Sequence, residues 1–188
     1  MNVRSVADAM REVDRRDFLP EQQRPWAGED RPLSIGGGQT NSQPTTVLNQ
    51  ITLLDVRPGQ RILDVGAGSG WTTAILSRLV GPEGRVIAVE IDEDLAQWGA
   101  SNVAAYHVPW ADYRIARPGV LGWPEDAPYD RILVSAEANH MPETLVAQLG
   151  DDAMMALVVR GVMLRVVRER DAEPTVTQHG HYRFVPLR

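Results

Sequence analysis

Hydrophobic positions follow two different periods along this chain, and the change of period divides it into two parts. Over residues 3–14 and 44–54 the apolar side chains recur every three or four positions, which predicts two amphipathic helices. From residue 61 onward the apolar residues form short continuous runs, which is typical of strands buried on both faces of a parallel sheet. We therefore expect residues 1–58 to hold N-terminal helices and a loop, and residues 59–188 to form an α/β core.

Strands and helices alternate in the second part of the chain. We expect strands at 61–65, 85–90, 103–107, 130–135, 153–159, 162–168 and 178–186, with helices at about 70–80, 93–100 and 142–149. This order predicts a mostly parallel central sheet of about seven strands with helices on both faces. The polar segment 168–174 separates the last two strands, which indicates a hairpin and at least one antiparallel strand. A chain of 188 residues suits a single domain.

Composition narrows the classes of partner. The net charge of -6 argues against a protein that holds nucleic acid mainly by its phosphates, because such binding needs a basic face. The chain has no cysteine, which excludes disulfides, thiolate metal sites and thiol nucleophiles. Its histidines lack the spacing of a metal site, and no apolar run reaches the roughly 20 residues of a membrane span. We expect a cytoplasmic protein, a monomer or weak homo-oligomer, without metal, membrane or nucleic acid.

Glycines follow the first strand of the core and indicate a nucleoside cofactor. Gly66, Gly68 and Gly70 form a turn in which the backbone passes close to a ligand and the next helix presents its amides. A dinucleotide fingerprint requires its third glycine one position later, where Trp71 stands, so the spacing disfavours NAD. Glu90 ends the second strand, where a carboxylate can accept hydrogen bonds from both ribose hydroxyls.

These features together favour S-adenosyl-L-methionine as the cofactor. Asp64, just before the turn, suits the cationic amino-acid part of that molecule. The simpler alternative is a tight strand-to-helix turn whose acid only caps the helix. The predicted cofactor-binding residues are Asp64, Gly66, Ala67, Gly68, Ser69, Gly70, Glu90, Ile91 and Trp110.

A second glycine run lies upstream, in the segment 34–44. Three consecutive glycines are followed there by uncharged hydrogen-bonding side chains, directly before the helix that starts at Pro44. Such a loop is suited to bind a substrate above the cofactor turn. Ser42 has two interpretations, because a serine at this distance from a helix start also serves as a helix cap.

Five ordered segments resemble the protein-L-isoaspartate O-methyltransferase family. The loop P-L-S-I-G-G-G-Q-T-N-S-Q-P precedes the strand and turn I-L-D-V-G-A-G-S-G, and the usual family loop reads roughly I-G-x-G-Q-T-I-S-x-P. The opening A-M-R-E-V-D-R-R-D-F-L-P, the later Y-D-R-I-L-V-S-A-E-A with M-P-E-T-L-V-A-Q-L, and the closing R-F-V-P-L are also similar to family segments. The resemblance implies a Rossmann-like, S-adenosylmethionine-dependent methyltransferase fold over most of the chain.

The resemblance also implies an activity. Members of the family methylate the free α-carboxylate of L-isoaspartyl residues in damaged proteins or peptides, a step in protein repair. Ser42 matches the loop serine that the family places at the reaction centre, and the predicted substrate-binding residues are Gln39, Thr40 and Gln43. A carboxyl group has a pKa of about 4, so it is already a nucleophile at neutral pH and needs no general base. The loop side chains would then act by positioning the carboxylate.

Several positions depart from the family pattern. The family commonly carries Gly-Asp-Gly after its third strand, where the acid binds the adenine amino group, whereas this chain has Val108-Pro109-Trp110 after the strand expected at 103–107. Asp112 could replace that acid, or Trp110 could stack on the adenine. Asn41 stands where the family loop usually has an apolar residue.

These departures keep alternatives open. The helix expected at 93–100 is about two turns shorter than the family's, which would leave one sheet edge less covered. The chain could be a family relative that methylates a different peptide carboxylate, or a homologue that binds S-adenosylmethionine with impaired catalysis. An RNA methyltransferase is a more remote alternative because the charge balance is acidic.

Overall fold

The structure is a computed structural model that describes residues 5–188. Its helices are α1 (Val6–Glu12), α2 (Pro44–Leu54), α3 (Trp71–Val80), α4 (Glu93–Ala104) and α5 (Glu143–Val146). Its strands are β1 (Leu33–Gly36), β2 (Gln39–Asn41), β3 (Arg61–Val65), β4 (Arg85–Glu90), β5 (Ala111–Ile115), β6 (Tyr129–Ala138), β7 (Leu149–Val159), β8 (Val162–Arg168) and β9 (Thr175–His181). The helix predicted over 3–14 is confirmed within the described part, and residues 3 and 4 lie outside it.

Seven strands form one sheet, in the order β5-β4-β3-β6-β7-β8-β9. The pairs from β5 to β7 are parallel, whereas β7, β8 and β9 pair antiparallel. The mostly parallel sheet and the terminal hairpin predicted from the sequence are therefore confirmed. The chain proceeds outward from β3 to β5 and then returns to β6 beside β3. Ligands of open α/β sheets bind at this kind of reversal, beyond the carboxyl ends of the strands.

Helices cover both faces of the sheet. On one face, α1, α2 and α3 bury their apolar stripes together with Ile62 and Val86 of the sheet. On the other face, α5 and the segments around it pack against Leu63, Ile87 and Ile132. Burying one such side chain contributes roughly 1.5–3 kcal/mol, so these two clusters hold the strand ends in fixed positions. No helix within residues 5–188 combines the length and hydrophobicity that a bilayer crossing requires.

The region between β4 and β6 corrects the sequence prediction. The expected strand at 103–107 is wrong, because α4 continues to Ala104 and a turn follows it. The third core strand is β5, which starts at Ala111, and the helix before it is longer than predicted. Gly99 lies inside α4 at its closest approach to the glycine turn, since a Cβ there would meet the carbonyl oxygen of Gly68 at 2.6 Å. Close helix packing, which the sequence pattern does not show, accounts for the glycine.

Candidate active site

The glycine turn lies at the carboxyl ends of β3 and β4. Gly66, Gly68 and Gly70 all have positive φ, at 73°, 58° and 93°, which an L side chain rarely adopts. The turn is held from below, because the amides of Gly66 and Ala67 donate to the carbonyl oxygen of Val89 at 2.9 and 3.1 Å. The chain therefore needs glycine here to turn sharply from the strand into α3.

Glu90 links the turn to the end of β4. One carboxylate oxygen accepts a hydrogen bond from the amide of Gly68 at 2.9 Å, and the other accepts from the amides of Ile91 and Asp92 at 2.8 and 3.0 Å. The side chain is only 7% exposed, yet it lines the large cavity described next. A carboxylate offers about four acceptor sites, so Glu90 keeps capacity for a ligand hydroxyl.

A cavity of about 390 Å³ opens beside Glu90, and we call it the large cavity to distinguish it from a cavity of about 30 Å³ that adjoins it. The turn and the loop before α2 line one side, whereas the segment 116–122 and the C-terminal residues line the other. Its volume lies in the range of roughly 300–1,000 Å³ that small ligands and cofactors occupy. Apolar walls with one partly satisfied carboxylate suit a nucleoside, so the residues present fit S-adenosylmethionine.

Asp64 corrects the prediction of a direct cofactor contact. Its side chain is 0% exposed and does not line the large cavity. One carboxylate oxygen instead accepts hydrogen bonds from the hydroxyls of Thr72 and Thr73 at 2.8 and 2.7 Å, beneath the first turn of α3. Burial raises the pKa of Asp64 to about 6, although the two hydroxyls act in the opposite direction. Asp64 therefore braces the turn from inside the protein.

Trp110 also corrects the prediction. It precedes β5, and its carbonyl oxygen accepts from the amide of Val86 at the start of β4, so it lies at the amino ends of the strands, whereas Glu90 lies at the carboxyl end of β4. Its indole donates to the carbonyl oxygen of Ser77 at 2.8 Å under α3. Asp112 does not line the large cavity either, because it pairs with Arg85 and Arg114.

The segment that follows the third core strand is 116–122. It lines the large cavity and contains no acidic residue. The family's acid is therefore missing, as expected, but the position where it is missing lies in this segment and not at Val108-Pro109-Trp110. Arg117 of this segment pairs with Glu125 and lies 4.6 Å from the ring centre of Trp123, on which Arg114 also stacks. This end of the large cavity is therefore bordered by a cation and by backbone groups.

The loop before α2 forms a two-stranded hairpin above the glycine turn. Strands β1 and β2 pair antiparallel, with Gly37 and Gly38 at the tip. A second cavity, of about 30 Å³, lies between the hairpin and the turn, and we call it the junction cavity. Thr40, Asn41 and Ser42 line it from the loop. Among the described residues that line it, none is acidic or basic.

Arg15 holds this loop in place from the N-terminal segment. The guanidinium is 5% exposed and donates to the side-chain oxygen of Asn41 at 2.8 Å and to the carbonyl oxygen of Ser42 at 2.9 Å. It also donates to the backbone carbonyls of Ala27, Glu29, Arg31 and Asn41. Burial lowers the pKa of Arg15 to about 10, so it stays cationic at neutral pH.

Asn41 continues this network to the cofactor turn. Its side-chain amide donates to the hydroxyl of Ser69 at 3.3 Å while its oxygen accepts from Arg15, and the residue is 5% exposed. A polar residue is accommodated here because both ends of its amide are satisfied. Arg15, Asn41 and Ser69 thus connect the N-terminal segment, the loop and the turn.

The helix-cap interpretation of Ser42 is not supported. The N-cap of α2 is Gln43, and its side chain makes no capping hydrogen bond. The amide of Thr45 donates instead to the carboxylate of Asp30, which also accepts from the Gln43 side chain at 3.0 Å. These hydrogen bonds lower the pKa of Asp30. The Ser42 side chain therefore remains available to the cavity that it lines.

An outer groove of about 530 Å³ lies on the far side of Ser42. Gln43 and Asn49 line it from the loop and α2, and Tyr182 and Arg183 line it from the segment after β9. The amide of Asn49 donates to the Tyr182 hydroxyl at 3.1 Å, which ties the two walls together. The groove meets the junction cavity at Ser42, which lines both.

Most of the predicted residues lie around these three cavities. Gln39, Gly66, Gly68, Glu90 and Ile91 line the large cavity, and Ala67 and Ser69 line the junction cavity. Gly70 caps α3 outside the cavities, packed against Gly99 and Val103.

The sequence analysis missed two residues of the site. Arg15 carried no signal that separates it from its neighbouring arginine, whereas Ser135, in the wall of all three cavities, was visible as a polar residue inside an apolar strand.

Known sequences match this chain over nearly its whole length. The family model described as protein-L-isoaspartate(D-aspartate) O-methyltransferase matches residues 1–188. A protein-L-isoaspartate O-methyltransferase of Methanopyrus kandleri is 41% identical over 186 residues, which cover 97% of this chain and 82% of the relative. Protein-L-isoaspartate O-methyltransferase 2 of Nitrosococcus oceani is 43% identical over 188 residues, with 98% and 84% covered.

Solved structures agree with the sequence relatives. A protein-L-isoaspartate O-methyltransferase structure superposes with a TM-score of 0.87 at 25% identity, over 97% of this chain and 60% of that one. A Plasmodium falciparum structure of the same description, in complex with S-adenosyl-L-homocysteine, gives a TM-score of 0.84 at 23% identity and shows the shared fold, over 100% and 92%. The resemblance in the sequence is therefore confirmed, and the chain belongs to the protein-L-isoaspartate(D-aspartate) O-methyltransferase family, which has the fold of S-adenosylmethionine-dependent methyltransferases.

Proposed function

We propose that this protein methylates the free α-carboxylate of L-isoaspartyl residues in damaged proteins or peptides. One observation carries the proposal. Ser42 lines both the junction cavity and the outer groove, and the junction cavity adjoins the large cavity that Glu90 lines. A small junction between a cofactor-sized cavity and an outer groove is the arrangement that group transfer to a peptide requires. Family membership and the names of the relatives favour the same reaction.

Glu90 and the glycine turn would hold the cofactor. The remaining acceptor capacity of Glu90 suits a ribose hydroxyl, and the exposed Ile91 with the walls of segment 116–122 suits the flat base. When bound, S-adenosylmethionine supplies the electrophilic methyl group of its sulfonium. The turn glycines keep the backbone free of side chains where the cofactor would approach it.

Ser42 and Thr40 would position the substrate carboxylate at the junction cavity. A carboxylate with a pKa of about 4 is ionised at neutral pH, so the side chains need not remove a proton. The lining of the junction cavity agrees with this, because its described residues supply hydroxyl and amide groups and no acid or base. Ser42 and Thr40 therefore act by orienting one oxygen of the carboxylate, which is catalysis by positioning.

Paired peptides test the proposal. We expect incorporation of a base-labile methyl group into a peptide that contains isoaspartate, and none into the same peptide with normal aspartate. Methylation of the aspartyl peptide alone would replace the proposal with a relative of different substrate choice. Calorimetric titration with S-adenosyl-L-homocysteine distinguishes an active enzyme from a homologue with impaired catalysis. The impaired homologue would bind that product but would methylate neither peptide.

We also propose that the protein works as a monomer or weak homo-oligomer, in the cytoplasm and without nucleic acid. The acidic net charge of -6 and the lack of a basic stripe along the outer groove support a peptide as the macromolecular substrate. Light scattering coupled to size exclusion should give a mass near the 20.8 kDa of one chain at micromolar concentration.

A further inference from the structure

Ser135 occupies an irregular stretch of β6. Leu133 pairs with Ala156 of β7 and Glu137 pairs with Val158, so three residues of β6 lie between these pairs where β7 has one. Strand irregularities of this kind redirect side chains and are common beside active sites. The backbone just before Ser135 is fixed, because the Gln50 side chain of α2 donates to the carbonyl oxygen of Val134 at 2.8 Å.

Ser135 borders the meeting point of the three cavities. It lines the large cavity, the junction cavity and the outer groove, and Thr40 is the other residue in the described part of the chain that lines all three. Thr40 belongs to the loop, whereas Ser135 belongs to the sheet beside the glycine turn. The junction therefore has a hydroxyl-bearing residue on each of its two walls.

The hydroxyl of Ser135 has no hydrogen-bond partner in the protein, and its oxygen has less than 1 Å² of accessible surface. An unsatisfied buried hydroxyl costs about 1–3 kcal/mol, and alanine would remove that cost. The next residue of the strand, Ala136, is already an alanine at the same cavity. Because Ser135 lines the cavities while its oxygen is covered as the side chain stands, the serine retains a donor that a rotation about its Cα–Cβ bond presents to a ligand in the junction cavity.

We infer that Ser135 donates a hydrogen bond to the substrate carboxylate, opposite Ser42. This inference rests on the proposed function. An isoaspartyl carboxylate has two oxygens, and two hydroxyls on opposite walls of the junction hold them in one plane. Ser135 is then a catalytic residue of the sheet wall, because a carboxylate fixed at both oxygens cannot rotate away from the methyl group.

Matched peptides test the inference by binding. β-Alanine in place of isoaspartate keeps the additional backbone methylene and removes only the carboxylate. With saturating S-adenosyl-L-homocysteine, we expect Ser135→Ala to bind the isoaspartyl peptide roughly 10- to 100-fold more weakly than the parent protein, since a hydrogen bond to a charged group is lost. Its affinity for the β-alanyl peptide, measured by competition, should stay within about two-fold. Ser135→Thr, which keeps the hydroxyl, should restore most of the affinity for the isoaspartyl peptide.

A control variant and three contrary outcomes make the result decisive. Ser77→Ala removes a buried hydroxyl that bonds the carbonyl oxygen of Thr73 in α3, and it should change neither peptide affinity. Equal losses for the two peptides, a loss of S-adenosyl-L-homocysteine binding in Ser135→Ala, or no loss for the isoaspartyl peptide would each overturn the inference. Failure of the proposed function is distinguishable, because the parent protein would then not methylate the isoaspartyl peptide at all.

Discussion

The glycine turn and the substrate loop face each other across the junction cavity, but they are held by different means. The turn is stabilised by near neighbours, namely strand amides, the carboxylate of Glu90 and the helix that follows. The loop is held mainly by the guanidinium of Arg15, which lies 26 residues before Asn41 in the chain. The position of the glycine turn therefore depends on backbone conformation, whereas the position of the substrate loop depends mainly on one buried charge.

The largest effect is expected at the turn. Gly70→Ala places a Cβ 2.7 Å from Val103 and 2.9 Å from the carbonyl oxygen of Gly99, at a φ of 93°. Strain and overpacking together should lower the free energy of unfolding by about 4 kcal/mol, measured by urea denaturation. Gly59→Ala is the control. Its φ of 83° is close to that of Gly70 but its Cβ meets nothing within 4 Å, so about half the loss is expected. Equal losses would contradict the packing argument.

The next effect concerns the loop. Arg15→Met should lower the free energy of unfolding by about 3 kcal/mol, because several buried carbonyl oxygens lose their donor. The KM for the isoaspartyl peptide should rise about tenfold or more, while the affinity for S-adenosyl-L-homocysteine falls far less. Arg16→Met, at the exposed neighbouring position, is the control. A larger loss of cofactor affinity than of peptide affinity would contradict the division between the two regions.

A pH effect arises beneath the turn. The pKa of Asp64 is about 6 in the folded protein, against a reference value of 3.8. As pH rises from 4 to 6 the unfolded chain loses this proton first, so the free energy of unfolding falls by up to about 3 kcal/mol and is then flat. In Asp64→Asn this fall should be missing. Urea denaturation at pH 4, 5, 6 and 7 measures the difference between the two proteins, and a constant difference would refute the account.

Glu90→Gln should produce the smallest of these effects. The substitution removes one acceptor oxygen from a side chain that already accepts from Gly68, Ile91 and Asp92. We expect the affinity for S-adenosyl-L-homocysteine to fall roughly tenfold in calorimetry. Glu93→Gln, at an exposed position in the first turn of α4, should leave that affinity unchanged. An unchanged affinity in Glu90→Gln would remove the carboxylate from the cofactor site.

The sequence predicted what depends on local pattern. The bounds of β3 and β4 and the start of α2 follow from apolar runs, glycines and Pro44, which act within a few residues. The error at α4 and β5 has a tertiary cause, because Gly99 is ordinarily unfavourable inside a helix and is retained here for close contact with the turn. The pattern around residues 103–107 alone could not reveal this.

The candidate site divides along the same line. The roles predicted for Gly66, Gly68 and Glu90 rest on short motifs, and the structure places all three at the large cavity. Arg15 acts through hydrogen bonds that exist only after folding, so its position could not be read from spacing, whereas Ser135 stood out only as a polar residue inside an apolar strand. Asp64 was misplaced because a residue before a turn can face the cavity or the core, and here it faces the core.

A crystal structure with S-adenosyl-L-homocysteine and an isoaspartyl peptide tests the central claim most directly. The account predicts the nucleoside in the large cavity beside Glu90, the peptide in the outer groove, and its free carboxylate in the junction cavity within hydrogen-bond distance of Ser42. A carboxylate bound elsewhere, or a loop moved away from the glycine turn in the complex, would contradict it.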